Sequence, residues 1–308
     1  MNGRPRMSRR IVILGASGLI GHKLYEVLKP RFKTVIPVLH SSRERFKQSG
    51  LFEGSDTIEH VDVCDFEHTA GVLHALRPDI VLSCAGITKR RPEVEDAVTA
   101  ITVNSLFPQK LAIWAKANDA RVIHFSTDCV FNGKKASAEP PYNEDSPTNG
   151  EDAYGRTKAL GEIRDDHNLT IRSSFIGREL SVHSELIDWF LAQEGHSIKG
   201  FTNAMYSGVT TPVMARIVGD IIEHHPSLAG LWQLGNPVPI NKYDLLCKAR
   251  EAFGIDVEIS PDDRPAPNAI LDGAKLHDQI NPDIPSWDEM LNELAKDTSC
   301  YTNIKLGA

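Results

Sequence analysis

The sequence predicts an α/β fold, a doubly wound parallel sheet followed by a smaller C-terminal lobe. Three observations carry that prediction. Short apolar, β-branched runs alternate with helical segments through the first 173 of 308 residues. A glycine-punctuated turn joins the first such run to the first helix. Beyond Ser174 the alternation loosens into helices separated by prolines and short apolar runs.

Ile11, Val12, Ile13 and Leu14 form a run too brief for a helix and typical of a strand buried on both faces. Gly15, Gly18 and Gly21 follow, and from Leu19 the pattern turns helical over 19–28, ending near Pro30. Gly15 suits a tight turn, Gly18 a close approach to a pyrophosphate on the helix N-terminus, and Gly21 close packing of helix on strand. Strands follow at 34–39, 57–61, 79–84, 121–126 and 169–173. Helices are expected at 66–76, over 93–118 with an interruption near Pro108, and at 153–165. In the second part they fall at 184–193, 212–224, 242–253 and 287–296, the last opened by a Ser286/Glu289 capping box. Residues 132–152, rich in Pro, Gly, Asn and Ser, form a long loop of the kind that serves as a lid. The expected division is a basic, disordered extension over 1–9, a dinucleotide-binding domain over 10–173, and a substrate-binding lobe over 174–308. Within that lobe, about 205–235 returns to the first domain.

A formal net charge of −7 argues against nucleic acid or an anionic membrane as the main partner. The five cysteines are scattered without a Cys-x-x-Cys pair, which suits reduced thiols in a cytoplasm. The twelve histidines show no metal-ligand spacing. Four apolar residues before Gly15 are too few for a signal peptide, and no stretch is long enough to span a membrane. A soluble cytoplasmic protein is expected, with a homodimer as the candidate assembly.

Two constellations offer chemistry. Ser126, Thr127, Asp128 and Cys129 follow directly from the fifth strand, at the carboxyl edge where ligands bind such sheets. Tyr154 and Lys158 lie four apart on the next helix. Tyr25/Lys29 and Tyr301/Lys305 share that spacing, but only Tyr154 falls between the fifth and sixth strands. Carbonyl reduction needs a hydride and a proton, and a phenol near pKa ~10 is a sluggish participant at neutral pH. An ammonium ~5 Å away, at an effective dielectric of ~20, favours the phenolate by roughly 3 kcal/mol, about two pKa units. Lys158 is therefore expected to tune Tyr154, and Thr127 to donate to the developing alkoxide. Cofactor choice turns on His40-Ser41-Ser42-Arg43, where an acidic residue would favour NAD. Arg43 with the Ser41 and Ser42 hydroxyls suits a 2′-phosphate, so NADPH is expected over NADH.

The glycine turn, Ser-Thr-Asp-x-Val-Phe at 126–131, Tyr-x-x-x-Lys continuing Ala159-Leu160-Gly161-Glu162, and Arg172-Ser173-Ser174 resemble the extended short-chain dehydrogenase/reductases. Among them the chain is most similar to the dTDP-4-dehydrorhamnose reductase group, from about residue 10 to 296. The resemblance implies a Rossmann-type domain, a sugar-nucleotide lobe and NADPH-dependent reduction of a 4-keto group in deoxysugar and cell-surface polysaccharide synthesis. Thr127, Tyr154 and Lys158 match the family's catalytic trio. Position by position, Ser17, Leu19, Ile20, Asp62, Val63, Cys84, Ala85, Gly86, Asn104 and Ser126 are expected toward the cofactor. Asp128, Cys129, Ser174, Phe175, Asn203, Tyr206 and Arg264 are expected toward the substrate, with Arg264 pairing a diphosphate. Ala269 and Ile270 replace the Ser and Arg of the family's Arg-Pro-x-x-Asn-Ser-Arg-Leu motif. Cys129 stands where related 4,6-dehydratases carry glutamate, which disfavours dehydration. Two alternatives stand beside ketoreduction: an epimerase or dehydratase recycling NAD internally, and a non-catalytic NADP-binding regulatory subunit.

Overall fold

A computed structural model of the chain describes residues 7–53, 56–136, 138–264 and 267–301. The first part runs β1 (Met7–Leu14), α1 (Gly21–Leu28), β2 (Phe32–Val38), α2 (Phe66–Leu76), β3 (Ile80–Ser83), α3 (Ala97–Ile101), α4 (Phe107–Ala117), β4 (Arg121–Ser126), α5 (Ala153–Leu160) and β5 (Leu169–Arg172). Next come β6 (Phe175–Ile176), α6 (Leu186–Leu191), β7 (Ser197–Phe201), β8 (Met205–Tyr206), β9 (Val209–Thr210), α7 (Thr211–His224) and β10 (Gly230–Gln233). The chain closes with β11 (Ile240–Asn241), α8 (Lys242–Phe253), β12 (Glu258–Asp262), α9 (Ala274–Ile280) and α10 (Trp287–Lys296). Residues 7–9, assigned from sequence to a disordered extension, belong to β1; residues 1–6 lie outside those described.

Six strands make one parallel sheet in the order β10-β5-β4-β3-β1-β2. Alternation along each strand feeds two cores. Ile11 and Ile13 of β1, Ile80 and Leu82 of β3, and Ile123 and Phe125 of β4 enter the layer that also holds Leu24 and Leu28 of α1 and Ile217, Val218 and Ile221 of α7. Val12, Leu14, Val81 and Val122 enter the opposite layer, with Leu73 of α2 and Phe107, Leu111 and Trp114 of α4. Burial on both faces is why these strands read as unbroken apolar runs. The chain turns one way from β1 to β2 and the other way to β3, so the crevice at their carboxyl ends is the switch point where ligands bind.

Residues 57–61, expected as a strand, form only an isolated bridge between Ile58 and Val38. His60 sits at φ 60°, a left-handed conformation that breaks an extended run. The sixth strand of the sheet is instead β10, far along the sequence and paired with β5.

The interruption expected near Pro108 is a π-turn over Thr102–Leu106 between α3 and α4. Proline has no amide to donate to the Asn104 carbonyl one turn earlier. Any side chain at Gly161 would collide with that same carbonyl. Gly161 also ends α5 four residues before the predicted boundary at 165. Caps set three of the helix starts: Asp152 accepts from Gly155 N at 2.6 Å, Asn241 from Asp244 N at 2.8 Å, and Ser286 with Glu289 forms the predicted capping box.

Candidate functional site

A cavity of about 580 Å³ opens at the carboxyl ends of β1, β3 and β4. Ser17, Gly18, Leu19 and Ile20 line one wall. Gly15 holds φ +75°, and a Cβ at Gly21 would run into the Gly15 carbonyl, so the turn closes on itself only with glycine at both positions. Gly18 N donates to Gly15 O at 3.0 Å, and among the described residues no backbone acceptor meets the amides of Ser17, Leu19 or Ile20. These free amides at a helix start fit the pyrophosphate of a dinucleotide. Cys84, Ala85 and Gly86 continue the same wall at the end of β3.

Thr127, Tyr154 and Lys158 all line this cavity, as do Asp128, Cys129, Ser174, Phe175 and Tyr206. Asp152 caps α5 two residues before Tyr154, and the strand end after Ser126 presents Thr127 at the rim. The Thr127 hydroxyl donates to Asp128 Oδ1 at 3.1 Å and accepts from Cys129 N at 3.1 Å. Burial pushes the Tyr154 phenol above its ordinary value, with negative charge at Cys129 adding to the shift and the Thr127 hydroxyl opposing it. Burial also raises the Cys129 thiol, to about 12.

Lys158 Nζ donates to Phe125 O at 2.7 Å and lies 3.4 Å from His124 Nε2. Burial brings Lys158 down to about 8, with Glu162 opposing the shift. His124, fully enclosed in β4, is held well below its usual value by burial and by Lys158, and its Nδ1 lies 3.3 Å from Ser83 Oγ. An unprotonated imidazole beside the ammonium accepts its proton-bearing face, which ties the lysine to the strand.

A charged network underlies the floor. Arg172 is fully buried and meets Glu162 through Nε at 2.8 Å and Nη2 at 2.7 Å. Ser126, which also lines the cavity, donates its hydroxyl to Glu162 at 2.8 Å. Arg172 also donates to Gln233 Oε1 at 3.0 Å and stacks over Phe131, whose ring lies on Tyr142 at 4.0 Å. Gln233 in turn donates to the Tyr142 carbonyl. The loop over 132–152, expected as a lid, is thereby pinned at Tyr142 to the edge strand; residue 137 lies outside those described.

Several predicted residues fall elsewhere. Asn104 is buried behind the cavity, where its amide clamps Ile87 N and O at 2.9 and 3.0 Å and positions that wall from behind. Ser41, Ser42 and Arg43 stand beyond the cavity wall. Ser42 caps a short helical turn, and Arg43 is bound by Glu59, whose carboxyl it pulls down to about 2. Asp62 accepts from Cys64 N at 2.9 Å and Val63 packs on the α2 side of the sheet, neither facing the cavity. Asn203 donates to the Asp263 carbonyl, and Arg264 is locked on Asp262 at 2.9 and 2.7 Å. Both are outside the lining, and Pro265 and Ala266 of the motif are outside the described residues.

Sequence reasoning missed His124, Lys89 and Lys242. His124 was detectable, because alternation through β4 places 122, 124 and 126 on one side. Lys89 and Lys242 line the cavity from segments about 150 positions apart, which no local pattern reveals. Among the described residues no cluster of three or more metal-ligating side chains occurs, and no helix is long and apolar enough to cross a membrane.

The family model described as the RmlD substrate binding domain matches residues 9–300. This chain belongs to that family. The expected resemblance to the extended short-chain dehydrogenase/reductases, and to the dTDP-4-dehydrorhamnose reductase group within them, is thus borne out. Mouse methionine adenosyltransferase 2 subunit beta is 26% identical over 294 residues, spanning 87% of this RmlD-family chain and 82% of that protein. A dTDP-4-dehydrorhamnose reductase of Mycolicibacterium smegmatis is 31% identical over 157 residues, 51% of this chain and 41% of its own length. Among solved structures, dTDP-4-dehydrorhamnose reductase from Bacillus anthracis in complex with NADP superposes with a TM-score of 0.77. That match covers 95% of this chain and all of the other at 19% identity, and it establishes the Rossmann-type fold. The relatives thus include both a dTDP-4-dehydrorhamnose reductase and a methionine adenosyltransferase subunit.

Proposed function

We propose that this protein uses NADPH to reduce the 4-keto group of a nucleotide-linked 4-keto-6-deoxysugar, as a step of deoxysugar and polysaccharide biosynthesis. The observation that carries the reading is the convergence of Thr127, Tyr154 and Lys158 in one cavity with the glycine turn. The dinucleotide supplies the hydride. Its phosphates suit the free amides of Ser17, Leu19 and Ile20, and Lys158 suits a ribose hydroxyl. Tyr154, kept protonated by burial, holds the proton for the sugar oxygen. An alkoxide is a far stronger base than a phenolate, so transfer from even a weakened phenol runs downhill. Thr127 donates its hydroxyl hydrogen to the same oxygen once it turns from Asp128. Tyr206 also lines the cavity, and its Oη is buried with no partner among the described residues.

The Cys129 thiol, at about 12, stays protonated at neutral pH and offers no base for dehydration. A second reading is a dinucleotide-binding subunit of a larger assembly, favoured by the near full-length likeness to a methionine adenosyltransferase subunit. Offering dTDP-, UDP- and GDP-linked 4-keto-6-deoxysugars while following nicotinamide absorbance separates the two. Turnover by wild type with loss in Tyr154→Phe by a factor of about 10²–10⁴, NADPH binding retained, supports the reductase. Failure to oxidise NADPH with every sugar favours the subunit.

A further inference from the structure

Lys89 and Lys242 enter the cavity from opposite parts of the chain, Lys89 from the loop after β3 and Lys242 from the first position of α8. Neither ammonium meets a carboxylate within ion-pair distance among the described residues; Lys89 Nζ reaches only Cys129 Sγ, at 3.8 Å. The acids around them are already satisfied. Glu185 pairs with Arg90 and accepts from Thr88, Glu179 accepts the Ser184 and Glu185 amides, and Asp128 takes the Thr127 hydroxyl. Lys242 feels burial first and then the like charge of Lys89, both opposing its ammonium, with Asp128 only partly offsetting them. Two unpaired cations turned into one half-enclosed space repel each other, and an anion seated between them removes that cost and gains charge-assisted hydrogen bonds.

We infer that Lys89 and Lys242 form the seat for the diphosphate of the nucleotide-linked substrate, in place of Arg264. This rests on the proposed reading of the site as a sugar-nucleotide pocket. Arg264 is held in a bidentate pair with Asp262 and does not line the cavity. The seat lies on the Cys129 and Tyr206 side, apart from the Ser17–Ile20 amides that suit the cofactor. The arrangement thus provides two separate anion sites, one made of backbone and one of side chains.

The test is calorimetric titration of wild type, Lys89→Met, Lys242→Met and Arg264→Met with dTDP, UDP, inorganic pyrophosphate and NADPH. Each lysine variant should weaken nucleoside diphosphate binding by about tenfold to a hundredfold while NADPH binding holds. Arg264→Met should change neither. Nucleoside diphosphate binding that survives both lysine replacements, or NADPH binding lost in step with it, overturns the inference and leaves the reductase reading standing. If wild type takes up pyrophosphate through these lysines but neither nucleotide, the anion seat holds and the sugar-nucleotide reading fails. If it binds none of the three diphosphate probes, the seat itself is refuted.

Discussion

Replacing Glu162 with glutamine removes one charge from a pair sealed inside the molecule. Arg172 is fully buried and the Glu162 side chain is 1% exposed, with two short hydrogen bonds between them. Glutamine keeps the shape but leaves the guanidinium without a counter-charge, at a cost of about 3–5 kcal/mol. Arg172→Met leaves the carboxylate with only the half-exposed Arg164 and the Ser126 hydroxyl and should cost less, about 2–3 kcal/mol. The double variant removes both charges; the Gln233 carbonyl loses its donor and Arg164 its ion pair, for about 1–2 kcal/mol in total. Urea titration of the four proteins at pH 7 gives the cycle, with a favourable coupling of roughly 4 kcal/mol or more expected. Acid adds a second readout. Arg172 holds the Glu162 carboxyl below its ordinary 4.5 despite burial, so its stabilisation is present above that value and lost as pH falls through the folded one. Glu162→Gln should show a shallower acid loss. Simple addition of the two single penalties in the double variant would refute the reasoning, as would a Glu162→Gln protein as stable as wild type.

Other expectations follow from the same geometry. Lys158 is ammonium at pH 7 and loses its proton through about 8, so sugar reduction should fall as pH rises past that value; a Lys158→Arg protein, which stays charged, should lose that limb. For stability the sign is opposite: a lysine depressed below 10.5 when folded makes wild type gain stability between about pH 8 and 10.5, and Lys158→Met should abolish that gain. Glu59→Gln should release Arg43 and raise the kcat/KM ratio of NADPH over NADH by about tenfold, the worth of one charge-assisted bond. Gly21→Ala should weaken binding of both dinucleotides and destabilise the fold, since its Cβ meets the Gly15 carbonyl backbone; unchanged cofactor titration would disprove the close fit.

Much of the chain was legible because its signals are local. The apolar run 11–14, the glycines after it, the run at 79–84 and the capping box of α10 act through neighbours a few residues away, and each formed near where the pattern put it. The run 57–61 misled, because a left-handed His60 is invisible to hydrophobic periodicity.

Side-chain partnership was not legible. The sequence by itself determined a parallel sheet wrapped in helices, a glycine turn at its switch point and the segments that bring Thr127, Tyr154 and Lys158 into one cavity. Only the tertiary structure decided that Lys158 leans on His124 and Phe125, that Arg43 belongs to Glu59 and Arg264 to Asp262, and that Lys89 and Lys242 line one cavity. Strand and turn formation are settled by backbone sterics and burial within a short window. A charged side chain takes its partner from whichever segment the fold brings beside it, and that choice is made only when distant parts of the chain close on one another.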